Sequence, residues 1–507
     1  MKRVQGRMLV VPGTADFDAL GAGLGKLRVK LDPPAGTQPF ALLDCFDQSL
    51  RQSGRVLLET GGELHLLGDD GLIGTQPAER PGNFVADLAP GPVRKALADF
   101  PALRALMPVC EGQFEKRELA LLDQRGKVRA GARITTLRAE GGAVTLVALR
   151  RAPDRGKDGA ALEEALSELG GRQGISPVWA LLMPDAQPYE ATPDIALGKR
   201  EPAFQAANDI IRTYLNVARR NEGGVIADID TEFLHDYRVS LRRIRSVLSL
   251  FKGVYSPDQA EALKQDFSAH MAATGRLRDL DVYLLEQDKY FELLPESLHD
   301  GLRVMFDRFR KERTAEQKKM VRRLRSKSYG NSISELVRLF ERGKGPSPGQ
   351  NAELGAYDYA CRLIWKRYRK VCKLARSITD DTPDADVHHL RIQCKKLRYL
   401  MEFFAPLFDE DAFKTIIKPL KRLQNNLGAF NDYTVQQGSL MALLESHSDS
   451  NGRADASMAM AVGGLIAILN QRQWAERARV VDSFSRFDRG KVQRVFRRLF
   501  RDRGIRG

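Results

Sequence analysis

From Pro202 onward, apolar side chains recur every three or four residues over long stretches, and few prolines interrupt them. This spacing places the apolar residues on one face of an α-helix. The predicted helices lie near residues 202–221, 232–252, 257–288, 296–326, 352–376, 386–408, 411–446 and 455–480. The segment GKGPSPGQN at Gly343–Asn351 breaks the pattern. We therefore expect two groups of four helices, each able to form an antiparallel bundle.

The first 150 residues follow a different pattern, in which short β-branched and leucine-rich runs are bounded by Gly and Pro. Such runs are typical of strands. The predicted strands include Arg55–Leu58, Leu64–Leu67, Lys116–Leu122, Lys127–Arg129 and Ala143–Leu149. Helices are expected over Arg94–Met107 and Gly159–Leu169. These elements predict an α+β domain with an antiparallel sheet.

These changes of pattern predict how the chain divides into domains. The predicted parts are an N-terminal domain at 1–183, a proline-marked linker at 184–201, a first helical repeat at 202–342, a second linker at 343–351, a second helical repeat at 352–484 and a basic tail at 485–507.

Charge singles out the helical part. The 507 residues carry a formal net charge of +15, while residues 1–200 hold 26 basic and 25 acidic side chains. The remaining residues therefore carry 14 of the 15 excess positive charges. A strongly basic region favours polyanionic partners such as nucleic acid or a phosphate polymer, so we expect a polyanion to bind the helical part.

Other features argue against several classes of protein. The longest strongly apolar stretch, Met458–Leu469, is too short to cross a bilayer, and the first residues lack the apolar core of a secretory signal. The five cysteines are odd in number and form no CxxC pair. We expect a cytoplasmic protein without a membrane partner, a disulfide framework or a metal site.

The two helical halves share a duplicated motif. HDYRVSLRRIR begins at His235, and HHLRIQCKKLR begins at His388, which is 153 residues later. GRLRDLDV from Gly275 and GAFNDYTV from Gly428 keep the same offset. Two separated segments that share one displacement indicate that a whole structural unit is duplicated.

Each motif carries basic residues at spacings of three and four, which keeps them within an arc of roughly 80° on one helical face. The first row is His235, Arg238, Arg242 and Arg245, and the second row is His388, Arg391, Lys395 and Arg398. Arg243 and Lys396 lie beside the rows. A single basic face is usually only solvated, but stacked like charges repel and the pattern occurs twice at one offset. We predict that the rows bind an anion.

These motifs resemble the twin signatures of the CHAD domain, the conserved-histidine α-helical domain. The signatures read H-x-x-R-V-x-x-R-R-x-R at His235–Arg245 and H-x-x-R-I-x-x-K-K-L-R-Y at His388–Tyr399. LRDLDV at Leu277–Val282 and LGAFNDYTV at Leu427–Val435 resemble the segments that follow them. The resemblance covers about residues 200–500. It implies two pseudo-symmetric four-helix bundles around a basic cavity that binds inorganic polyphosphate, and association with polyphosphate granules.

Carried over residue by residue, the resemblance implies that both rows line this cavity. It adds Arg278 and Lys421 on the helices that follow. Arg243 and Lys396, which lie beside the rows, complete the candidates. Arg278 has no basic counterpart in the second repeat, where Asn431 stands. The expected site is therefore lopsided.

The N-terminal residues are similar to a degenerate CYTH domain, the antiparallel β-barrel-like triphosphate tunnel fold. Leu42–Leu67 and Phe114–Val128 carry the resemblance. That family opens with an E-x-E-x-K strand whose glutamates hold a divalent metal, but the first strand here is GRMLVV at residues 6–11. Phosphoryl transfer from a triphosphate needs a metal to neutralise developing charge. We therefore expect no enzymatic activity and no cofactor, and a role in docking or dimerisation.

Our prediction is non-enzymatic binding of inorganic polyphosphate, and two alternatives stay open. A generic nucleic-acid-binding protein would stack bases on exposed aromatic rings, although neither row interleaves aromatics. A metal-dependent triphosphatase in the N-terminal domain would require a carboxylate cluster. A homodimer is also left open.

Overall fold

The computed structural model describes residues 8–17, 20, 24–150, 156–379, 381–446 and 456–502. Within it the chain forms two compact units, Met1–Ala191 and Thr192–Gly507.

The N-terminal unit is built on a ten-stranded antiparallel sheet, which confirms the predicted fold class. Its strands are β1 (Met8–Pro12), β2 (Arg28–Leu31), β3 (Thr37–Asp44), β4 (Val56–Thr60), β5 (Glu63–Gly68), β6 (Gly71–Pro77), β7 (Met107–Leu122), β8 (Val128–Ala139), β9 (Gly142–Arg150) and β10 (Arg172–Gln173). Their order in the sheet is β10-β1-β9-β8-β7-β3-β4-β5-β6, and β2 pairs with β7. The first two residues of the predicted strand at 6–11 lie outside the described residues.

Four helices accompany the sheet in the described part of this unit: α1 (Ser49–Gln52), α2 (Pro92–Ala96), α3 (Gly156–Glu168) and α4 (Pro177–Leu182). The helix predicted over Arg94–Met107 is wrong beyond Ala96. Pro101 cannot donate a helical hydrogen bond, and Met107 opens β7, where it pairs with Asp44 of β3. One apolar core contains Leu57 and Trp179, and a second contains Leu121 and Leu162.

The second unit is helical. Its first repeat contains α5 (Ala203–Ala227), α6 (Thr231–Leu250), α7 (Pro257–Ala272), α8 (Gly275–Leu285), α9 (Gln287–Leu293), α10 (His299–Leu324) and α11 (Lys327–Leu339). Its second repeat contains α12 (Ala356–Arg376), α13 (Asp384–Phe404), α14 (Glu410–Ser446), α15 (Ala456–Ala478), α16 (Val480–Phe487) and α17 (Gly490–Phe500). The described residues include no helix that is both long enough and apolar enough for a membrane crossing.

The duplication predicted from the sequence is present in the helix boundaries. Helices α5, α6 and α7 begin at residues 203, 231 and 257, while α12, α13 and α14 begin at 356, 384 and 410, each 153 residues later. The repeats differ where one helix was predicted over 257–288. There the chain forms α7 and α8, and the Thr274 hydroxyl donates to the Met271 carbonyl at 2.6 Å beside the break. The counterpart α14 is continuous.

Equivalent helices of the two repeats pack on one another: α6 on α13, α10 on α15 and α5 on α12. The rings of Phe251 and Phe404 stack with centroids 4.8 Å apart and an interplanar angle of 12°. These residues are also 153 positions apart. Because equivalent positions that touch must lie beside the symmetry axis, the pseudo-twofold axis of this unit passes next to this stack.

The described part of the basic tail is packed against α12. Along α17 the side chains of Val492, Phe496, Leu499 and Phe500 are buried. Phe496 stacks on Tyr368 of α12 with ring centroids 3.9 Å apart. This contact holds α17 against α12, while its arginines are exposed. Residues 503–507 lie outside the described part of the chain.

Candidate anion-binding site

The first row lies on α6, whose sequence fixes both its start and its orientation. The Asp230 carboxylate caps the helix by accepting from the backbone N–H groups of Glu232 and Phe233. Leu241, Ile244 and Val247 are buried in the bundle core. Because this apolar face is fixed, the basic face is held beside the core. All four side chains of the first row are half-buried.

Two arginines of this row are incompletely paired. Arg238 donates through Nη1 to the Thr274 hydroxyl, at the break between α7 and α8. The Nε atoms of Arg238 and Arg242 are buried and have no hydrogen-bond partner among the described residues. Farther along the row, Nη1 of Arg245 contacts Sδ of Met271 at 3.2 Å. Buried donors without acceptors are costly, so the centre of this row has capacity for an added acceptor.

Arg278 on α8 joins the same cluster. It donates to the Thr231 carbonyl at 3.3 Å and lies 3.7 Å from the Glu232 carboxylate. Burial lowers the pKa of Arg238, and the charges of Arg242 and Arg278 lower it further, while Asp279 opposes them. Arg238, Arg242 and Arg278 are therefore electrostatic neighbours.

The second row lies on α13, and three of its members contact residues on α13 or α14. Nδ1 of His388, an exposed residue, donates to Oδ1 of Asn431 at 2.6 Å. The guanidinium of Arg391 lies 3.5 Å from the Asp432 carboxylate. Nε of Arg398 lies 3.4 Å from the Glu402 carboxylate one turn later.

Lys395 connects the two rows. Burial lowers its pKa from 10.5 to about 8, and the next contributions are the positive charges of Arg242, Arg391 and Arg398. Arg242 belongs to the first row, while the other two belong to the second. Neither Arg242 nor Lys395 forms an ion pair with a described acidic residue, although the Lys395 ammonium lies 5.7 Å from the ring centroid of Tyr399. Positive charge from both repeats therefore meets at Arg242 and Lys395, and the Asp432 carboxylate offsets only part of it.

Three sequence candidates lie apart from this cluster. The Arg243 guanidinium lies 3.3 Å from the Glu402 carboxylate and over the rings of Tyr214 and Phe403, so it joins the repeats. Burial lowers the pKa of Lys396, and the next contributions come from Arg367, Lys370 and Lys252, none of which belongs to either row.

The third of these candidates, Lys421, is exposed on α14. Its sequence neighbours Lys418 and Arg422 line a separate cavity together with Arg486 and Arg489.

Sequence reasoning missed Glu402, which contacts Arg243 of the first repeat and Arg398 of the second. The one available signal was its position four residues after Arg398, a spacing at which helical ion pairs form. Its second contact, across the repeats, depends on how α6 packs against α13 and has no sequence signature.

The chemistry of the cluster is that of an anion receptor. Guanidinium groups can donate two hydrogen bonds to phosphate oxygens, and an ammonium supplies a compact charge. The described residues of the chain form no group of three or more His, Cys, Asp or Glu side chains that could hold a metal ion.

Comparisons with known proteins found a matching family model and similar solved structures. The family model of the CHAD domain matches residues 209–441. Among solved structures, the CHAD domain from the plant Ricinus communis is 25% identical with a TM-score of 0.47, and the match covers 61% of this chain and 96% of that one. PptA from Streptomyces chartreusis is 15% identical with a TM-score of 0.45, covering 56% of this chain and 99% of that one. None of the curated proteins matches.

Proposed function

Because the family model of the CHAD domain matches residues 209–441, we propose that this chain binds inorganic polyphosphate along the two basic rows of α6 and α13. The binding is non-enzymatic in this proposal, and it would bring the protein to polyphosphate granules in the cytoplasm.

The observation that carries the proposal is the meeting of the two rows at Arg242 and Lys395. The lowered pKa of Lys395 reflects burial and three neighbouring positive charges. An anion placed between the rows would reverse the electrostatic effect of those charges. It would also supply acceptors for the buried Nε atoms of Arg238 and Arg242.

A linear phosphate polymer fits this arrangement better than a nucleic acid does. The positive charges are arranged as two rows that extend along helices, so the ligand should carry negative charge along its length. Base recognition by stacking requires accessible aromatic rings. Tyr237 and Tyr399, on the helices that carry the rows, are buried. Polyphosphate needs no such rings.

The test is a binding titration of the full chain with polyphosphate of defined length, followed by competition with single-stranded DNA of equal charge. We expect polyphosphate to displace the DNA far more readily than the DNA displaces polyphosphate. Equal competition in both directions would instead support a generic nucleic-acid-binding protein.

The non-enzymatic part of the proposal has its own test. It rests on the first strand of the N-terminal unit, which carries no glutamate in GRMLVV. The full chain is incubated with tripolyphosphate and Mg²⁺ or Mn²⁺, and phosphate release is measured. We expect no release above the protein-free reaction, and turnover would identify a triphosphatase.

A further inference from the structure

A second concentration of positive charge lies in a groove between α12 and α17, apart from the two rows. The groove has a volume of about 1180 Å³, and seven of its lining residues are Lys or Arg. Six of these are Lys366, Arg369, Lys370, Lys373, Arg497 and Arg501, and all seven side chains are exposed. The seventh, Arg376, is paired with Asp488 at 2.8 Å.

The sequence explains why these side chains face one groove. Lys366, Arg369, Lys370 and Lys373 follow one another at helical spacings, so they share one face of α12. The stack of Phe496 on Tyr368 fixes α17 against α12. This contact places the charges of Arg497 and of Arg501, at the end of α17, beside the α12 row.

The positive charge of the groove is not balanced locally. Apart from Arg376, none of the basic residues of the groove forms an ion pair with an acidic side chain of the described chain, and no carboxylate is among the residues that line the groove. The positive field also extends beyond it. The charges of Lys370, Arg367 and Lys252 add to burial in lowering the pKa of Lys396. Repulsion of this kind favours a bound polyanion.

We propose that the groove between α12 and α17 is a second anion site, separate from the rows of α6 and α13, and that it holds a linear phosphate chain. The choice of polyphosphate as the chain rests on the proposed function. The assignment of an anion site rests only on the charge and geometry of the groove.

The groove's aromatic residues favour a phosphate chain over nucleic acid. Tyr368 and Phe496 are buried against one another. Trp365 is half-buried, with its ring centroid 5.6 Å from that of Tyr368. Few ring faces are therefore left for bases to stack on. An anionic membrane fits less well, because the apolar face of α17 is already buried in the protein and is not available for insertion.

Two sites for one polymer would make binding depend on chain length. A chain long enough to reach both sites binds the second one at a high effective concentration. A short chain occupies each site independently. The protein would therefore select long polyphosphate over short polyphosphate without any additional contact.

The test uses the full chain and three variants. Arg369→Gln/Lys373→Gln/Arg497→Gln removes charge from the groove at exposed positions, and Arg242→Gln/Lys395→Gln removes it from the rows. Lys318→Gln/Arg322→Gln/Arg338→Gln removes three exposed charges from the first repeat as a matched control. Each protein is titrated calorimetrically with a short and a long linear polyphosphate, and circular dichroism checks folding.

We expect two short chains per wild-type molecule and one in either site variant. The groove variant should bind the long chain at least about tenfold more weakly, while the control should change far less. A groove variant that behaves like the control would overturn the proposal. If the row variant binds no short chain at all, the groove is not a site, and the proposal is overturned while the proposed function stays intact.

The row variant also separates the two proposals, because it leaves only the groove site. Its remaining short-chain binding should vanish when the three groove substitutions are added, even if the rows prove not to bind polyphosphate. The short chain bound to this variant is also challenged with single-stranded DNA at an equal charge concentration. If the DNA displaces it as readily as polyphosphate does, the assignment of a phosphate chain is overturned.

Discussion

Arg242 and Lys395 occupy equivalent positions in the two repeats, 153 residues apart, and the charge of Arg242 helps to lower the pKa of Lys395. At the ends of the same two helices, the equivalent residues Phe251 and Phe404 stack at 4.8 Å. The pseudo-twofold axis thus passes beside one apolar pair and one repelling basic pair. Apolar contact holds α6 and α13 together, and this packing opposes the repulsion of like charges nearby.

Reversing both central charges should abolish polyphosphate binding. In Arg242→Glu/Lys395→Glu, two attractive contacts with phosphate become repulsive, so affinity should fall by at least about a hundredfold. Helicity should be retained, because the apolar side chains that form the core are unchanged. Binding is measured by titration and helicity by circular dichroism.

The matched control for this charge reversal is Lys318→Glu/Arg322→Glu, which changes net charge equally at exposed positions of α10. It should retain most of the affinity. If the central variant binds as well as this control, the rows are not the site.

Polyphosphate affinity should decrease between pH 7 and pH 9. Lys395 in the free protein has a pKa of about 8, so it loses its proton in this range, while bound phosphate favours the charged form. Binding therefore takes up a proton, and affinity should fall by up to about tenfold from pH 7 to pH 9. Lys395→Arg keeps its charge and should flatten this dependence. An unchanged pH profile in that variant would assign the titration to another group.

The same shift determines how the stability of the free protein varies with pH. The folded-state pKa of Lys395 is about 8 and its ordinary value is 10.5, so the unfolded chain holds this proton more tightly. Between these values the unfolded state binds more protons, and the contribution of Lys395 to stability rises with pH. The free energy of unfolding is measured by denaturant titration at pH 8 and pH 10. Its change from pH 8 to pH 10 should be more positive in the wild type than in Lys395→Met, and the opposite sign of this difference would contradict the prediction.

Salt should weaken polyphosphate binding steeply, because binding neutralises positive side chains and releases counterions. The logarithm of affinity should fall linearly with the logarithm of salt concentration. Arg242→Gln should reduce the magnitude of this slope by about one, as expected for loss of one phosphate contact. Titrations at four salt concentrations measure the slope, and an affinity that is independent of salt would contradict the electrostatic account.

The duplicated rows were predictable because both helical spacing and repeat offset are written in the sequence. The residues that surround Arg243 and Lys396 could not be predicted. Both residues lie one position beyond a row member, and their surroundings depend on which helix packs beside them. Glu402 contacts Arg243 only because α6 and α13 pack together. The break between α7 and α8 lies at Ala273 and Thr274, where the spacing of apolar residues does not reveal it.

The sequence analysis also did not predict how the end of the helical unit packs, and it missed part of the N-terminal sheet. Three arginines lie among the five apolar residues of α17. What the sequence does not show is that Tyr368 of α12 receives Phe496 and covers the apolar face. In the sheet, β3 was missed although its residues 40–44 are mostly buried. Its neighbours β4 and β7 cover it on both sides, and that pairing is set by long-range contacts.

Glu402 should stabilise the junction between repeats. The Arg243 and Glu402 side chains are only 16% and 22% exposed, so their pairing should contribute more than a surface ion pair does. Glu402→Gln should lower the free energy of unfolding by about 1–2 kcal/mol. In a double-mutant cycle measured by denaturant titration, Arg243→Gln should lower the free energy of unfolding less in the Glu402→Gln background than in the wild type.

The control, Glu410→Gln, breaks an exposed pair with Lys414 and should lower the free energy of unfolding by less than about 0.5 kcal/mol. Additive effects would mean that the two residues are not coupled.

The aromatic joint between the repeats should matter for both stability and binding. Phe251 is buried and packs on Phe404, Phe403 and Tyr359, so Phe251→Ala should cost about 3–5 kcal/mol of unfolding free energy. Phe267→Ala removes an equally buried ring from α7 and should cost a similar amount. Only Phe251→Ala should also weaken polyphosphate binding, because it loosens the packing that sets Arg242 against Lys395. Unfolding is followed by denaturant titration and binding by calorimetry at a temperature where both variants are folded. Equal binding by the two variants would show that the rows keep their positions without this stack.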